Sequence, residues 1–197
     1  MYPMLKRLFD ITASFFGILL LFPVFIVLIC VIKISSPGSA FFKQKRIGRY
    51  KEFFDMLKFR TMRTDAPRDI PTHLLQNPYA YITPIGRFLR KTSLDELPQL
   101  FHILIGDMSL VGPRPALWNQ DDLAAERDKY GANDVRPGLT GLAQIKGRDE
   151  LPIEVKAAYD GEYVEKMSFL FDLKILFLTV FSVAKGEGVK EGGRKNG

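Results

Sequence analysis

Asp95 and Glu96 are adjacent carboxylates, a pairing that could do chemistry. Neighbouring negative charges repel, so a cation such as Mg2+ would stabilise one while the other stays poised for reaction. A plainer reading also stands, because an Asp-Glu pair in the first turn of a helix complements the helix dipole. The cations elsewhere in the chain weigh against it. Arg90, Arg114, Arg136 and Arg148 stand in helix-start or Gly/Pro-shaped contexts, and Lys58 and Arg60 flank Phe59. A guanidinium's planar fork suits bidentate contact with phosphate oxygens. Two carboxylates with several arginines match the needs of phosphoryl transfer from a diphosphate: a nucleophile or base, a metal bridge and charge stabilisation. Asp95 and Glu96 are therefore the candidate catalytic pair and the candidate metal ligands. Lys58, Arg60, Arg90, Arg114, Arg136 and Arg148 are the candidate phosphate-binding residues. No P-loop or GxGxxG pattern is present, which argues against a Walker-type or Rossmann nucleotide site.

The elements that must position these groups are partly readable. Ser93 with Glu96 three positions on matches a capping box. Leu94, Leu97, Leu100, Phe101, Leu104 and Ile105 then recur at helical spacing, and Gly106 can stop the helix. Pro98 predicts distortion near the helix start, beside the carboxylates. The runs at Ala40–Phe42 and Phe53–Phe59 predict short strands or a strand pair. Residues 63–77, with Pro67 and Pro71, read as a surface loop, Ile82–Arg90 as a short basic helix and 119–129 as an exposed helix. Pro113-Arg114-Pro115 and Arg136-Pro137-Gly138-Leu139-Thr140-Gly141 are rigid segments, each holding an arginine. His102 reads as a core or surface histidine, and Trp118 as a packing residue. With two histidines and the single Cys30, neither a Cys/His metal cluster nor an internal disulfide can form, which fits a cytoplasmic catalytic part.

At 197 residues the chain suits one domain, expected to be a mixed, helix-rich α/β fold, and its two ends are apolar. From Ile11 to Ile32 there is no charge, long enough to cross a hydrocarbon core. Pro23 at its centre predicts a kink. Lys6 and Arg7 lie before the segment and Lys33, Lys43, Lys45 and Arg46 after it, so the positive-inside preference assigns no orientation. A helix-break-helix hairpin returning to the cytoplasmic face satisfies both facts; a kinked transmembrane helix is the alternative. Phe169–Phe171 and Ile175–Val183 form either a buried core helix or an interfacial one. Residues 1–63 carry 11 Lys and Arg against 3 acids, and such a basic half beside an apolar segment points to anionic headgroups before nucleic acid. The expected organisation is a membrane hairpin over 1–35, a catalytic domain over 36–185 and a flexible tail over 186–197. A non-catalytic membrane-anchored adaptor would also explain the apolar ends, but not the carboxylate-arginine set.

Five motifs occur in fixed order: Lys58-Phe59-Arg60-Thr61-Met62, Ser93-Leu94-Asp95-Glu96-Leu97-Pro98-Gln99-Leu100, Gly106-Asp107-Met108-Ser109, Val111-Gly112-Pro113-Arg114-Pro115 and Arg136 to Gly141. Together they resemble the bacterial sugar transferases, in particular the small monotopic phosphoglycosyl transferases, over about Leu5 to Val183. The resemblance implies a re-entrant membrane helix and a catalytic domain on the cytoplasmic face of the bacterial inner membrane. It implies that Asp95 attacks the β-phosphate of a UDP-sugar, expelling UMP, and that undecaprenyl (polyprenol) phosphate then takes the phosphosugar from the carboxylate. Glu96 would assist, Mg2+ would offset phosphate charge, and Arg90, Arg114, Arg136 and Arg148 would hold phosphates or nucleotide. The chain departs from the family pattern twice: Phe22 precedes Pro23 where many members have serine, and Leu142 follows Thr140-Gly141 where many have tryptophan.

Overall fold

The computed structural model describes residues 2–67, 77–147 and 151–185. Its elements are helix α1 (Tyr2–Ser35), strands β1 (Phe41–Ile47) and β2 (Phe53–Phe59), helices α2 (Pro84–Lys91) and α3 (Gln99–Ile105), strand β3 (Ser109–Val111), helix α4 (Asp121–Asp128), strand β4 (Gly138–Thr140), and helices α5 (Leu142–Lys146), α6 (Ile153–Lys166) and α7 (Phe169–Lys185). This is the mixed, helix-rich α/β fold expected. The strand pair is an antiparallel hairpin in which Phe41 faces Phe59 and Ile47 faces Phe53. The short basic helix and the helix within 119–129 are present as α2 and α4. Within the expected loop, residues 68–76, Pro71 included, lie outside the described residues, as does the tail from 186.

Helix α1 is 34 residues long, roughly 50 Å at the usual rise, and runs through Pro23 as one helix rather than the interrupted pair expected there. Its buried residues, Asp10, Ser14, Phe25, Leu28 and Ile32, follow a stripe at intervals of three and four, the period of one helix face. Between them, Gly17 lies against Leu100, and Ile18 and Leu21 pack on Met56, Leu100, Ile103 and Met108. At the far end Phe25, Leu28 and Ile32 join Phe59 and Leu89. The helix therefore rests on the domain along its length. Its other sides are apolar and exposed, including Met4, Leu8, Phe15, Phe16, Leu19, Leu20 and Phe22.

Polar contacts fix this register at both ends. Tyr2 and Lys6 donate to Asp172 on α7, whose other oxygen accepts from Tyr163 on α6. Arg7 donates to the carbonyls of Ile103 and Leu104, and Asp10 accepts the Leu110 N–H. Lys6 and Arg7 are thus packing residues as well as a basic flank. At the other end Arg60 donates to the carbonyls of Ser36 and Pro37.

The C-terminal helix is buried along one side only. Asp172 and Ile175 are buried, while Leu170, Phe177, Val180 and Phe181 on α7 are at least half exposed. Leu142, the second of the two departures noted in the sequence, is buried in the cluster with Val111, Tyr163 and Ile175.

The rigid arginine segments meet through β3 and β4, which pair in parallel, Ser109 with Gly138 and Val111 with Thr140. The Gly138 N–H donates to the Pro113 carbonyl, next to Arg114. A Cβ on Gly138 would fall 2.1 Å from the Gly112 nitrogen and 2.4 Å from the Thr140 carbonyl oxygen, so backbone would have to move. Gly138→Ala should accordingly lower stability by at least about 1–3 kcal/mol, the cost of overpacking, read as a lower unfolding midpoint. A midpoint equal to that of the parent would show that the contact can relax freely.

Candidate active site

Pro98 stands at the residue before α3 and, having no N–H, cannot continue a helix from its N-terminal side. The sequence answers with a separate 3-10 turn over Leu94–Glu96, entered through Ser93 in the left-handed conformation, φ 56°. The capping box expected at Ser93 is not formed: its side chain makes no cap hydrogen bond, and the helix begins at Gln99. The distortion expected beside Pro98 is what carries Asp95 and Glu96. Gly106 does end the helix, at φ 109°.

Both carboxylates are turned inward, Asp95 at 9 % exposure and Glu96 at 8 %. That burial replaces the reading in which they merely complement a helix dipole at the surface. Adjacent buried anions need cations, and these arrive from separate segments. Met56 and Lys58 share one face of β2; Met56 packs on α3, while Lys58 Nζ donates to Glu96 Oε1 at 2.8 Å. Arg114 Nη2, from the segment after β3, donates to the same oxygen at 2.8 Å. Arg90, in the last turn of α2, donates Nε to Thr61 Oγ1 at 2.8 Å and adds its charge to the field at Asp95.

The two carboxylates are held differently. Glu96 is gripped by two cations, whereas among the described residues no hydrogen bond reaches the Asp95 carboxylate. Burial pushes the Asp95 carboxyl above the ordinary carboxylate range. Lys58 opposes that shift, Glu96 reinforces it, and Arg90 and Arg114 oppose it again. Burial likewise lowers Lys58, against the pull of Glu96.

Lys58, Arg90 and Arg114 are thus brought to the pair. Arg60 lies at the end of α1, and Arg136 donates Nε to the Gly106 carbonyl at 2.7 Å, at the opposite end of α3. Arg148 lies outside the described residues. Thr61, which fixes Arg90, was not singled out as a site residue; its place in the Lys58–Met62 motif is the signal that could have found it. His102 is structural, as expected: Nε2 accepts the Leu57 N–H and Nδ1 lies 2.9 Å from Asp107, tying β2 to α3.

A cavity of about 350 Å³ opens beside Arg90, with Phe41, Phe42, Lys43, Arg60 and Thr61 also in its wall. Arg90 is its link to the carboxylates, which do not themselves line it. Among the described residues no group of three or more His, Cys, Asp and Glu side chains is placed to hold a metal. Two carboxylates, one of which accepts no hydrogen bond among the described residues, fit a Mg2+ bound by few protein ligands rather than an all-protein cage.

The family described as "Bacterial sugar transferase" matches residues 1–186. The sugar transferase EpsL of Bacillus subtilis is 44 % identical over 95 % of this chain and 91 % of its own. The exopolysaccharide production protein ExoY of Sinorhizobium fredii is 38 % identical over 93 % and 87 %. The UDP-glucose:undecaprenyl-phosphate glucose-1-phosphate transferase of Escherichia coli is 40 % identical over 90 % of this chain but only 40 % of its own length.

The asymmetry of the pair has a measurable consequence. The raised Asp95 value means that the stability this carboxyl contributes is full below its unfolded value and lost as pH rises through its folded one. Asp95→Asn cannot ionise and should keep that stability, melting above the parent at neutral pH and converging with it in acid. Removing a nearby cation should push the carboxyl further up, so Arg90→Gln should shift the infrared titration of Asp95 to higher pH. A downward shift in Arg90→Gln would show that the guanidinium does not act on Asp95.

Proposed function

This chain belongs to the bacterial sugar transferase family, and from that membership and its carboxylate pair we propose that it transfers a phosphosugar from a UDP-sugar to undecaprenyl phosphate through a covalent intermediate on Asp95. The carrying observation is the division of labour in the pair: Glu96 is fixed by Lys58 and Arg114, and among the described residues the Asp95 oxygens accept no hydrogen bond. A nucleophile needs accessible lone pairs, and a positioning group needs to be held.

In the first step an Asp95 oxygen attacks the β-phosphorus of the donor. The bond from that phosphorus to the oxygen bridging the α-phosphate breaks, and UMP leaves with the bonding electrons. In the second, a phosphate oxygen of the polyprenyl phosphate attacks the same phosphorus and Asp95 departs as carboxylate. Lys58, Arg90 and Arg114 place positive charge beside the phosphoryl oxygens while water is largely excluded, where such charges act most strongly. Glu96, bonded to two of those cations, keeps them on station. Mg2+, held by Asp95 and Glu96 together with phosphate oxygens, would supply further charge neutralisation. The cavity gives the substrates room beside Arg90.

The acceptor is a lipid, and the helix that would meet it is α1. A helix crossing the bilayer would carry one end away from a domain on the cytoplasmic side. Here α1 is bound to the domain at both ends, with its outward sides apolar. We therefore place it in the cytoplasmic leaflet of the inner membrane, lying along the domain with both of its ends on the cytoplasmic side, and the exposed side of α7 at the interface.

With UDP-sugar alone, the protein should release at most about one UMP per chain and gain the mass of a phosphosugar on the peptide carrying Asp95. Asp95→Asn should abolish release, and Glu96→Gln should leave a measurable residue. UMP appearing only after lipid acceptor is added, with no trapped adduct, would favour direct displacement by the lipid phosphate. For the membrane placement, cysteines substituted at Pro3 and Lys45 should both react with an impermeant reagent from the cytoplasmic side only. Labelling of position 3 from the opposite side would establish a span.

A further inference from the structure

Three arginines outside the carboxylate site converge near the C-terminal end of α3. Arg7 donates to the carbonyls of Ile103 and Leu104 at 2.6 and 2.8 Å, and its Nη2 stands 3.3 Å from where a Cβ on Gly106 would lie. Arg136 donates to the Gly106 carbonyl itself at 2.7 Å. Arg49, in the turn between β1 and β2, donates to the Asp134 carbonyl at 2.9 Å, two residues before Arg136, and the next N–H, of Tyr50, donates to Asn133 at 2.7 Å. All these partners are backbone carbonyls. Among the described residues none of the three arginines is in an ion pair, so three full positive charges remain beside one another. The acidic side chain nearest in influence, Asp10, is buried and accepts the Leu110 N–H. Burial lowers Arg136, and the charges of Arg7 and Arg49 lower it further.

The surroundings say what such a cluster meets. Leu8, beside Arg7, is 62 % exposed and Ile105, beside Gly106, is 70 % exposed, so the arginines border the outward apolar face of α1 and α3. Arg49 lies over the ring of exposed Tyr50 and Lys45 over that of exposed Phe53, each at 4.4 Å. Tyr50 and Lys51 hold consecutive positive φ angles, 55° and 63°, where L side chains are strained, and the Tyr50–Asn133 hydrogen bond keeps that turn against the cluster. Cations paired with aromatic rings along an apolar edge match the headgroup layer of a bilayer.

We propose that Arg7, Arg49 and Arg136 form a binding site for the phosphodiester of an anionic phospholipid at the rim of the membrane-facing surface. The proposal rests on the placement of α1 in the membrane given above, and it removes Arg136 from the donor site. Gly106 follows Glu96 by ten residues of turn and helix, about 15 Å at helical rise, so this phosphate and the transferred one are held separately.

The test uses the full chain in a non-ionic detergent, mixed with equal amounts of phosphatidylglycerol and phosphatidylcholine, with retained lipid counted by native mass spectrometry. The parent should keep phosphatidylglycerol preferentially. Arg49→Gln, an exposed change, should lower that preference about fivefold, the share of one arginine near an anionic surface. Lys51→Gln, whose lysine pairs with Asp128, should leave it in place. Parental retention in Arg49→Gln, or an equal loss in Lys51→Gln, would overturn the proposal. UMP release from the same variants separates the two lipid phosphates. Loss of acceptor-dependent release with phosphatidylglycerol retention intact would assign the arginines to the polyprenyl phosphate and overturn the proposal, leaving the transfer reading intact. A parent chain that selects phosphatidylglycerol but consumes no UDP-sugar would instead sink the transfer reading alone.

Discussion

Two adjacent carboxylates buried side by side repel each other and lose hydration, and the chain must offset both effects at one point. No single element can do this. Lys58 comes from a strand, Arg90 from the end of a helix, and Arg114 from the segment after β3, so the hairpin, α2 and the β3–β4 pair all have to close around one 3-10 turn. The glycine contacts make sense in this light. Gly138 lies close enough to Gly112 and Thr140 to bring the two arginine segments together, and its N–H holds Pro113 beside Arg114. The result is unequal by construction: both inner cations that bond the pair take Glu96, and Asp95 keeps its lone pairs.

Helix α1 faces the opposite problem. Apolar residues on every side fix no rotation about its own axis, so apolar packing alone would leave several registers close in energy. The buried polar groups remove that freedom. Asp10 on the Leu110 N–H, Lys6 on Asp172 and Arg7 on the end of α3 would each be left unsatisfied by a turn of the helix, and an unpaired buried charge is costly. Arg60 does the same at the far end by meeting the carbonyls that close the helix.

This explains what could be read from the residues and what could not. The carboxylate pair, the strand hairpin, the short helices around it and the stop at Gly106 were legible because each depends on local chemistry or local periodicity. The form of the turn was not: Ser93 and Glu96 have capping-box spacing, but Pro98 moves the helix start beyond both. Arg60 and Arg136 had the right type and motif context for phosphate, yet their positions depend on where α1 and α3 end, which only tertiary packing decides. The buried stripe of α1 was hidden for a related reason, since an all-apolar helix carries no amphipathic signal. Asp10, just outside the uncharged run, and Ser14 within it mark the inward face.

The two problems are solved by one piece of packing. Phe25, Leu28 and Ile32 of α1 meet Phe59, the neighbour of Lys58, and Leu89, the neighbour of Arg90. Any change in how α1 sits on the domain therefore moves the residues adjoining two of the three cations around Asp95. On the reading in which α1 lies in the cytoplasmic leaflet, that same contact sets the height of the carboxylate over the bilayer. A lipid phosphate is confined to the headgroup layer by its chain and can approach the carboxylate only from there. Coupling α1 to β2 and α2 through interdigitated side chains, rather than through a loop, keeps that height and the electrostatics of the site from varying independently.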